Sequence, residues 1–186
     1  MDRVVVVGNS GSGKTTMSRK IADSLGVPVL ELDAVHHLEG WKHPSDEDFR
    51  KEISRFTNQD RWVVDGNYTS HGASELIWPL ADTVVWLDPP RRVVMGRVIG
   101  RTLRRVLTRE VLWNGNREPW TNLYSRDPYK NIIVWAWTRF DHVRAKYEEC
   151  LADGTWAHAD VYRLRTEPEV RRLLDSLADV AHDTQS

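Results

Sequence analysis

The chain of 186 residues carries 26 basic and 27 acidic side chains, and its formal net charge of -1 gives no general attraction to nucleic acid. Its composition, 40% hydrophobic and 28% charged, is typical of one globular domain, and no apolar run reaches the ~18 residues of a membrane span. The single cysteine, Cys150, excludes a disulfide framework and a thiol metal site. These features predict a cytoplasmic protein with one domain over residues 1–181 and a short tail over 182–186.

Hydrophobic patterning predicts short buried strands that alternate with helices, the arrangement of a parallel sheet with helices on both faces. Ser45 is a predicted N-cap, because three acidic residues follow it in the first turn of a helix. In chain order the predicted elements are strand 3–7, helix 14–25, strand 29–32, helix 46–57, strand 62–64, short helix 73–78, strand 83–87, helix 91–108, irregular segment 113–127, helix 129–151, strand 159–164 and helix 169–177.

The first predicted strand runs into residues 8–15, GNSGSGKT, which fit the pattern G-x-x-x-x-G-K-[ST] of a phosphate-binding loop. In such a loop, backbone N–H groups surround phosphate oxygens at the N-terminus of the following helix. We expect the Lys14 ammonium to reach the β- and γ-phosphates and the Thr15 hydroxyl to ligate Mg²⁺. The residues predicted to bind the nucleotide, ATP with Mg²⁺, are Gly8, Asn9, Ser10, Gly11, Ser12, Gly13, Lys14, Thr15 and Thr16.

Three aspartates close predicted strands, at the sheet edge where ligands of such folds bind. Asp65 is the predicted carboxylate of the Mg²⁺ site, with an Asp-Gly turn as the alternative. Asp33 is predicted to hold a substrate hydroxyl, act as a base or assist the metal, with an N-cap or turn as the alternative. Asp88 precedes two prolines, and a turn explains it without chemistry.

The predicted helix 91–108 carries a row of arginines without acidic residues between them. At 100° per residue the row lies on one side of the helix and an apolar face on the other. Arginine suits phosphate oxygens and the charge that builds in a transition state, so Arg97 and Arg101 are predicted to be catalytic together with Lys14 and Asp33. A solvated basic face remains the alternative, and it is favoured for Arg104, Arg105 and Arg109.

Two segments are predicted to enclose the phosphate acceptor: a binding region at about 33–58 and a lid at about 105–128. Arg117 in the lid is a candidate to enter the site on closure. The segment after the third strand is a further candidate for substrate contact, through Gly66, Asn67 and Tyr68. The spacing of three histidines lacks a tight ligand pattern, so surface or pocket positions are favoured over a metal site for His36, His37 and His43.

Several segments resemble adenylate kinases and their relatives. The sequence WVVDGNY (62–68) resembles their strand-Asp-Gly segment, and Arg97 and Arg101 resemble the pair of arginines that precedes their lid. The segments LDAVHHLEGW (32–41) and ADTVVWLDPPRRVVMGRVIGRTLRR (81–105) are similar to the adenylate-kinase-related proteins labelled DNA topology modulation proteins. The resemblance implies a P-loop NTPase fold: an α/β/α sandwich like that of nucleoside monophosphate kinases, with a five-stranded parallel sheet in the order 2-3-1-4-5 and a lid.

The chain departs from adenylate kinases at the acceptor side. Those enzymes have Asp-Gly-Phe-Pro-Arg after the third strand, and Asn67, Tyr68 and Thr69 stand at the last three places here. The region 33–58 also lacks their Thr-Gly-Asp-Leu segment. These departures mean that AMP is not indicated as the acceptor. The phosphate-binding loop still predicts ATP as the donor.

Two functions follow as hypotheses. The first is an ATP- and Mg²⁺-dependent kinase for a small molecule, with a nucleoside or nucleotide as one possible class of acceptor. The second is a nucleotide-dependent regulator or DNA-associated protein, supported by the arginine row alone. A GTPase is not indicated because no Asn-Lys-x-Asp sequence occurs, and a motor-type ATPase is not indicated because no Glu follows Asp65 or Asp88. Membrane and nucleic-acid partners are not expected.

Overall fold

The structure is a computed structural model that describes residues 1–68 and 71–183. Its centre is a sheet of five parallel strands in the spatial order β2-β3-β1-β4-β5. This confirms the predicted α/β P-loop fold and the predicted strand order. The strands are β1 Arg3–Gly8, β2 Val29–Glu31, β3 Trp62–Asp65, β4 Thr83–Leu87 and β5 Asp160–Leu164.

Helices cover both faces of the sheet, as the alternating sequence pattern predicts. In the part of the chain that the structure describes, no helix is long and apolar enough to cross a membrane. The helices are α1 Lys14–Leu25, α2 Leu32–His36, α3 Asp46–Thr57, α4 Ala73–Ile77, α5 Arg91–Thr108, α6 Thr121–Tyr124, α7 Ile132–Ala152 and α8 Glu167–Asp183.

Alternation of side chains along β1 divides the core into two layers, because successive strand residues point to opposite faces. Val4 and Val6 pack against α1 and α8 on one face. Val5 and Val7 pack on the other face with apolar residues of α3, α4 and α7. Because both faces of β1 are buried, its sequence is a continuous run of valines rather than an alternation of apolar and polar residues.

The structure corrects several predicted boundaries. The second strand ends at Glu31, and Leu32 and Asp33 open the short helix α2 instead. Helix α7 begins at Ile132, three residues later than predicted, because the Asn131 side chain accepts from the backbone N–H groups of Ile133 and Val134 and caps the helix. Helix α8 continues to Asp183 and takes in the start of the predicted tail, whose residues 184–186 lie outside the described part.

The segment predicted to be irregular, 113–127, contains local structure of its own. A 3₁₀ turn spans Trp113–Gly115, and helix α6 follows. A β-bridge between Val111 and Arg117 closes the turn into a small hairpin. Asparagine and glycine allow the tight turn, since Asn114 and Gly115 both adopt positive φ angles.

Asp88, at the end of β4, has a structural role beyond the turn that the sequence predicted. The residue is 4% exposed, and its carboxylate lies among three arginines. Arg163 Nη2 donates to it at 2.6 Å, and Arg144 Nε and Arg165 Nε each lie 3.3 Å away. Because these arginines come from α7 and from the end of β5, the carboxylate joins the edge of the sheet to the helix above it.

We expect Asp88→Asn to lower the free energy of unfolding by about 2–3 kcal/mol, because it leaves partly buried guanidinium groups without their counter-charge. The matched control is Asp141→Asn, which removes an exposed carboxylate from a surface pair with Arg91. That change should stay within about 1 kcal/mol. Urea unfolding of both variants measures the difference, and equal values would contradict the structural role of Asp88.

Candidate nucleotide site

The loop between β1 and α1 is shaped by glycines that no other residue replaces without strain. Gly8, Gly11 and Gly13 have φ angles of 145°, 82° and 105°. A Cβ atom at Gly8 would overlap the carbonyl oxygen of Leu87 in β4, and one at Gly11 would overlap the side chain of Val98 in α5. The loop backbone therefore packs directly against two elements and curls at the N-terminus of α1, the geometry that binds phosphate groups.

Lys14, Thr15 and Asp65 meet at the start of α1. The Lys14 ammonium donates to the carbonyl oxygen of Asn9 at 3.2 Å, inside the curl of the loop. Thr15 Oγ1 donates to Asp65 Oδ2 at 2.6 Å, and Asp65 Oδ1 is buried without a hydrogen-bond partner. The structure thus brings the predicted metal-binding pair together across β3 and α1, with one carboxylate oxygen free.

Burial sets the proton affinities of this group. It raises the pKa of Asp65 to about 6, although the positive charge of Lys14 and the hydrogen bond from Thr15 oppose the rise. Burial also lowers the pKa of Lys14, against the attraction of the Asp65 and Asp33 carboxylates. The Lys14 cation and the Asp65 carboxylate therefore share a poorly solvated space, where charges interact more strongly than in water.

The two arginines predicted to be catalytic reach the same loop from α5. Arg97 Nη1 donates to the Ser12 carbonyl oxygen at 2.9 Å, and Arg101 Nη2 donates to Ser10 Oγ at 3.3 Å. The Nε atom of Arg101 is buried without a partner. Burial, followed by the positive charge of Arg105, lowers the pKa of Arg101. Both guanidinium groups thus lie at the phosphate-binding loop with donor capacity left over.

The later arginines of the row are engaged elsewhere. Arg104 Nη2 lies 2.9 Å from Glu110, and Arg105 lies 3.6 Å from both Glu110 and Glu118. Arg109 Nη1 donates to the Glu118 carbonyl oxygen at 3.4 Å. Acidic residues outside the helix thus neutralise the end of the row.

Asp33 faces the site from the opposite side, in α2. Tyr68 OH donates to Asp33 Oδ1 at 2.6 Å, and His37 Nε2 lies 3.3 Å from the same hydroxyl. Burial and the neighbouring Asp33 carboxylate raise the pKa of Tyr68, so the phenol keeps its proton and remains a donor. Two predicted substrate residues, Tyr68 and Asp33, therefore form one polar group. The Asp33 carboxylate of this group attracts the Lys14 ammonium electrostatically.

Asn67 supports the phosphate-binding loop. Its Nδ2 donates to the Gly8 carbonyl oxygen, and its Oδ1 accepts from the Gly8 N–H at 3.3 Å. Because both amide atoms are engaged by the loop, Asn67 is less suited to the predicted substrate contact. Gly66 has a φ of 142°, and a Cβ there would lie 2.8 Å from Leu32 Cβ, so its role is close packing against α2. Thr69 lies outside the described residues.

The predicted lid and the predicted acceptor region touch each other. Asn114 Nδ2 donates to the carbonyl oxygens of Ala34 and His37 at 2.9 and 2.7 Å. Asn116 Oδ1 accepts from the Trp41 N–H at 2.9 Å. These amide contacts join the hairpin after α5 to the end of α2 and the 3₁₀ turn Glu39–Trp41.

Arg117 holds the hairpin rather than the phosphate-binding loop. Its side chain is exposed, and Nη1 donates to the Arg109 carbonyl oxygen at 2.6 Å. Arg109 itself has a φ of 53°, so its carbonyl group turns away from the helix that it ends. The predicted entry of Arg117 into the site would need this hydrogen bond to break.

Sequence reasoning overlooked Glu31 and Trp113. Trp113 Nε1 donates to Glu31 Oε2 at 3.0 Å, and Arg19 Nε donates to Glu31 Oε1 at 2.6 Å. Glu31 thus connects the hairpin to β2 and to α1. Its position at the carboxyl end of a predicted strand, beside Asp33, was the signal that would have found it.

We expect Gly8→Ala to weaken nucleotide binding and to destabilise the fold by more than about 1 kcal/mol, because alanine is strained at this φ and meets the Leu87 carbonyl. The control is Gly96→Ala in α5, where a Cβ meets nothing within 4 Å. That change should raise stability by about 0.5–1 kcal/mol. Thermal unfolding and titration with a fluorescent ATP analogue measure both effects, and unchanged nucleotide affinity in Gly8→Ala would contradict this account of the loop.

Comparison with known proteins agrees with this geometry. A family model described as "ATPase family associated with various cellular activities (AAA)" matches residues 4–65, which run from β1 through the phosphate-binding loop to Asp65. No curated protein matches the chain. The family match therefore concerns the segment that carries the loop, Lys14, Thr15 and Asp65.

Solved structures resemble nearly the whole chain. A gluconokinase from Sinorhizobium meliloti 1021 superposes with a TM-score of 0.51 at 20% identity, over 99% of this chain and 95% of its own. A shikimate kinase from Bacteroides thetaiotaomicron gives 0.55 at 14% identity, over 97% and 98%. One from Acinetobacter baumannii, in complex with shikimate, gives 0.53 at 16%, over 99% and 94%. The chain thus has the α/β P-loop NTPase fold, which it shares with small-molecule kinases.

Proposed function

We propose that this protein is a kinase that transfers a phosphoryl group from ATP, with Mg²⁺, to a hydroxyl group of a small molecule. The observation that carries the proposal is the convergence of two sets of residues on one space. Lys14, Arg97 and Arg101 converge on the phosphate-binding loop, and Asp33 with Tyr68 forms a polar group on the other side. The fold shared with solved small-molecule kinases supports it.

The residues present suit a nucleotide and a magnesium ion. Asp65 Oδ1 and Ser12 Oγ are buried without hydrogen-bond partners, so both have bonding capacity directed at the loop region. The Thr15 hydroxyl and the Asp65 carboxylate are oxygen ligands of the kind Mg²⁺ prefers. When held by Thr15 and Asp65, Mg²⁺ would supply positive charge that neutralises the phosphate groups of the donor.

The chain's own residues then have separate tasks. Lys14 and the loop N–H groups hold the donor phosphates, and Arg97 and Arg101 place positive charge where the transferring group develops negative charge. Asp33 accepts a hydrogen bond from the acceptor hydroxyl and orients it, while Tyr68 keeps the Asp33 carboxylate in position. The hairpin that lies on α2 excludes water, which would otherwise turn phosphoryl transfer into hydrolysis.

The acceptor we propose is a small molecule that offers a hydroxyl to Asp33. A nucleoside or nucleotide is one class, and polyhydroxy acids are another, because the similar structures include a gluconokinase and shikimate kinases. A screen with labelled ATP over nucleosides, nucleoside monophosphates, gluconate, shikimate and simple polyols, with background hydrolysis measured alongside, separates these classes.

The alternative, a nucleotide-dependent regulator that contacts DNA as the resemblance to the DNA topology modulation proteins suggests, rests on the arginine row of α5. That row is divided in the folded protein: Arg97 and Arg101 face the loop, and Arg104 and Arg105 lie beside Glu110 and Glu118. Part of the basic surface of α5 is thus engaged within the protein, and because Arg97 and Arg101 contact the phosphate-binding loop, the kinase is the function we put forward.

We expect Lys14→Ala to lower phosphoryl transfer by at least about 100-fold, because it removes the cation that holds the transferring phosphate. Lys20→Ala removes an exposed lysine of the same helix and should leave the rate unchanged. Circular dichroism and thermal unfolding check that both variants fold. Equal turnover in wild type and Lys14→Ala would overturn the kinase proposal.

We expect Asp33→Asn and Asp65→Asn to change different kinetic parameters. The Asp65 change should raise the Mg²⁺ concentration needed for half-maximal rate, because one metal-binding carboxylate is lost. The Asp33 change should lower kcat by roughly 100-fold at the same Mg²⁺ requirement, because the hydroxyl loses its orienting acceptor. Initial rates over a Mg²⁺ series separate the two, and a shared shift in Mg²⁺ dependence would assign Asp33 to the metal instead.

A further inference from the structure

Three histidines, an adjacent pair and one that follows shortly after it in the chain, meet beside α2. His36 and His37 end that helix, and a hydrogen bond from the Leu38 N–H to the Lys42 carbonyl oxygen, 2.9 Å long, turns the chain back so that His43 returns to them. The rings of His36 and His43 stack with centroids 4.4 Å apart, and those of His36 and His37 are 5.1 Å apart. One ring nitrogen from each of the three lies within 4.8 Å of the others.

Two of these imidazoles carry buried nitrogens that nothing satisfies. Nδ1 of His36 and Nδ1 of His37 are both buried and make no hydrogen bond. His36 is only 7% exposed, so water does not compensate for the missing partner. A buried polar atom without a partner is costly and calls for an explanation.

The remaining contacts of these rings are those that metal-bound histidines typically make. His43 Nδ1 lies 3.3 Å from the His36 carbonyl oxygen, and His37 Nε2 lies 3.3 Å from Tyr68 OH, which in turn bonds to Asp33. When one ring nitrogen of a histidine is held in this way by a backbone or side-chain oxygen, the tautomer is set and the other nitrogen presents its lone pair. In His37 that other nitrogen is the unsatisfied Nδ1, and in His43 it is Nε2.

We propose that His36, His37 and His43 form a binding site for a transition-metal ion of the Zn²⁺ type, separate from the Mg²⁺ site at Thr15 and Asp65. Three imidazoles are a ligand set that suits zinc, with a fourth position left to water or a ligand. Zinc–nitrogen bonds of about 2.0–2.1 Å bring ligand atoms to ~3.4 Å from each other. The present spacing is wider, and the His36 and His43 rings are stacked, so the rings would have to turn toward a common point when the ion binds.

A nearby charge and an exposed ligand support this assignment. The Asp33 carboxylate, held by Tyr68, provides nearby negative charge. His43 is exposed and leaves a route for the ion from solvent.

A metal here would stabilise the turn that precedes α3. Gly40 and Trp41 both adopt positive φ angles, 68° and 59°, which is unusual for tryptophan and costs conformational energy. Binding at His43 would anchor the end of this turn to α2. Because α2 also carries Asp33, the same ion would order the acceptor side of the proposed kinase site without touching the nucleotide.

The test is a titration of the full chain, free of any affinity tag, with Zn²⁺ against a chromogenic chelator, with Mg²⁺ in excess throughout. We expect one Zn²⁺ per chain, and an affinity at least about tenfold weaker in His43→Asn. His43 is exposed, so this variant should fold. The control is His142→Asn, an exposed histidine of α7, which should bind Zn²⁺ as wild type does.

A second readout identifies the ligands. Co²⁺ in place of Zn²⁺ should give the visible absorption of a tetrahedral site in wild type and lose it in His43→Asn. His71, whose ring is 4.7 Å from His36 but whose Nδ1 contacts Asp46 at 2.9 Å, is not in the proposed set, so His71→Asn should keep the spectrum. The proposal is overturned if wild type binds no stoichiometric Zn²⁺, if His43→Asn binds it equally well, or if His71→Asn loses it equally.

Discussion

The hydrogen bond from Thr15 to Asp65 is the contact on which the candidate site depends. It joins the first turn of α1 to the end of β3, and β3 lies directly beside β1, from which the phosphate-binding loop emerges. Parallel pairing brings the carboxyl ends of these strands to the same edge. A shift of one residue in the register of β3 would turn Asp65 to the opposite face, and the loop would lose its carboxylate.

Burial also changes the pKa values of the charged groups around the loop. Lys14, Asp65 and Arg101 all lie where solvent is scarce, and the pKa of each is shifted in the direction that favours its neutral form. Opposite charges supplied by neighbouring elements offset this cost in the folded protein. A polyanionic ligand with its cation would offset it further, since the cluster has unsatisfied donors and one unsatisfied carboxylate oxygen.

Much of the fold was predictable because its signals are local. The valines of β1, the glycines of the loop and the Ser45 cap each act through neighbouring residues. Helix α1 and strand β4 also depend on local signals, and both have the predicted bounds. Predictions failed where distant contacts compete with local preference. Asp33 lies in a helix rather than at a strand end, because Leu32 packs into the core beside Gly66 and turns the chain there.

The sequence by itself identified the phosphate-binding loop on one side of the candidate site, because a strand, a glycine loop and a helix in immediate succession are recognisable from local residues alone. Only the tertiary structure decided the other side. It engaged Asn67 with Gly8, divided the arginine row between the loop and two glutamates, and gathered His36, His37 and His43 at one point. The physical reason is that these contacts join residues far apart in the chain or across irregular turns, where no sequence period specifies which side chains will meet.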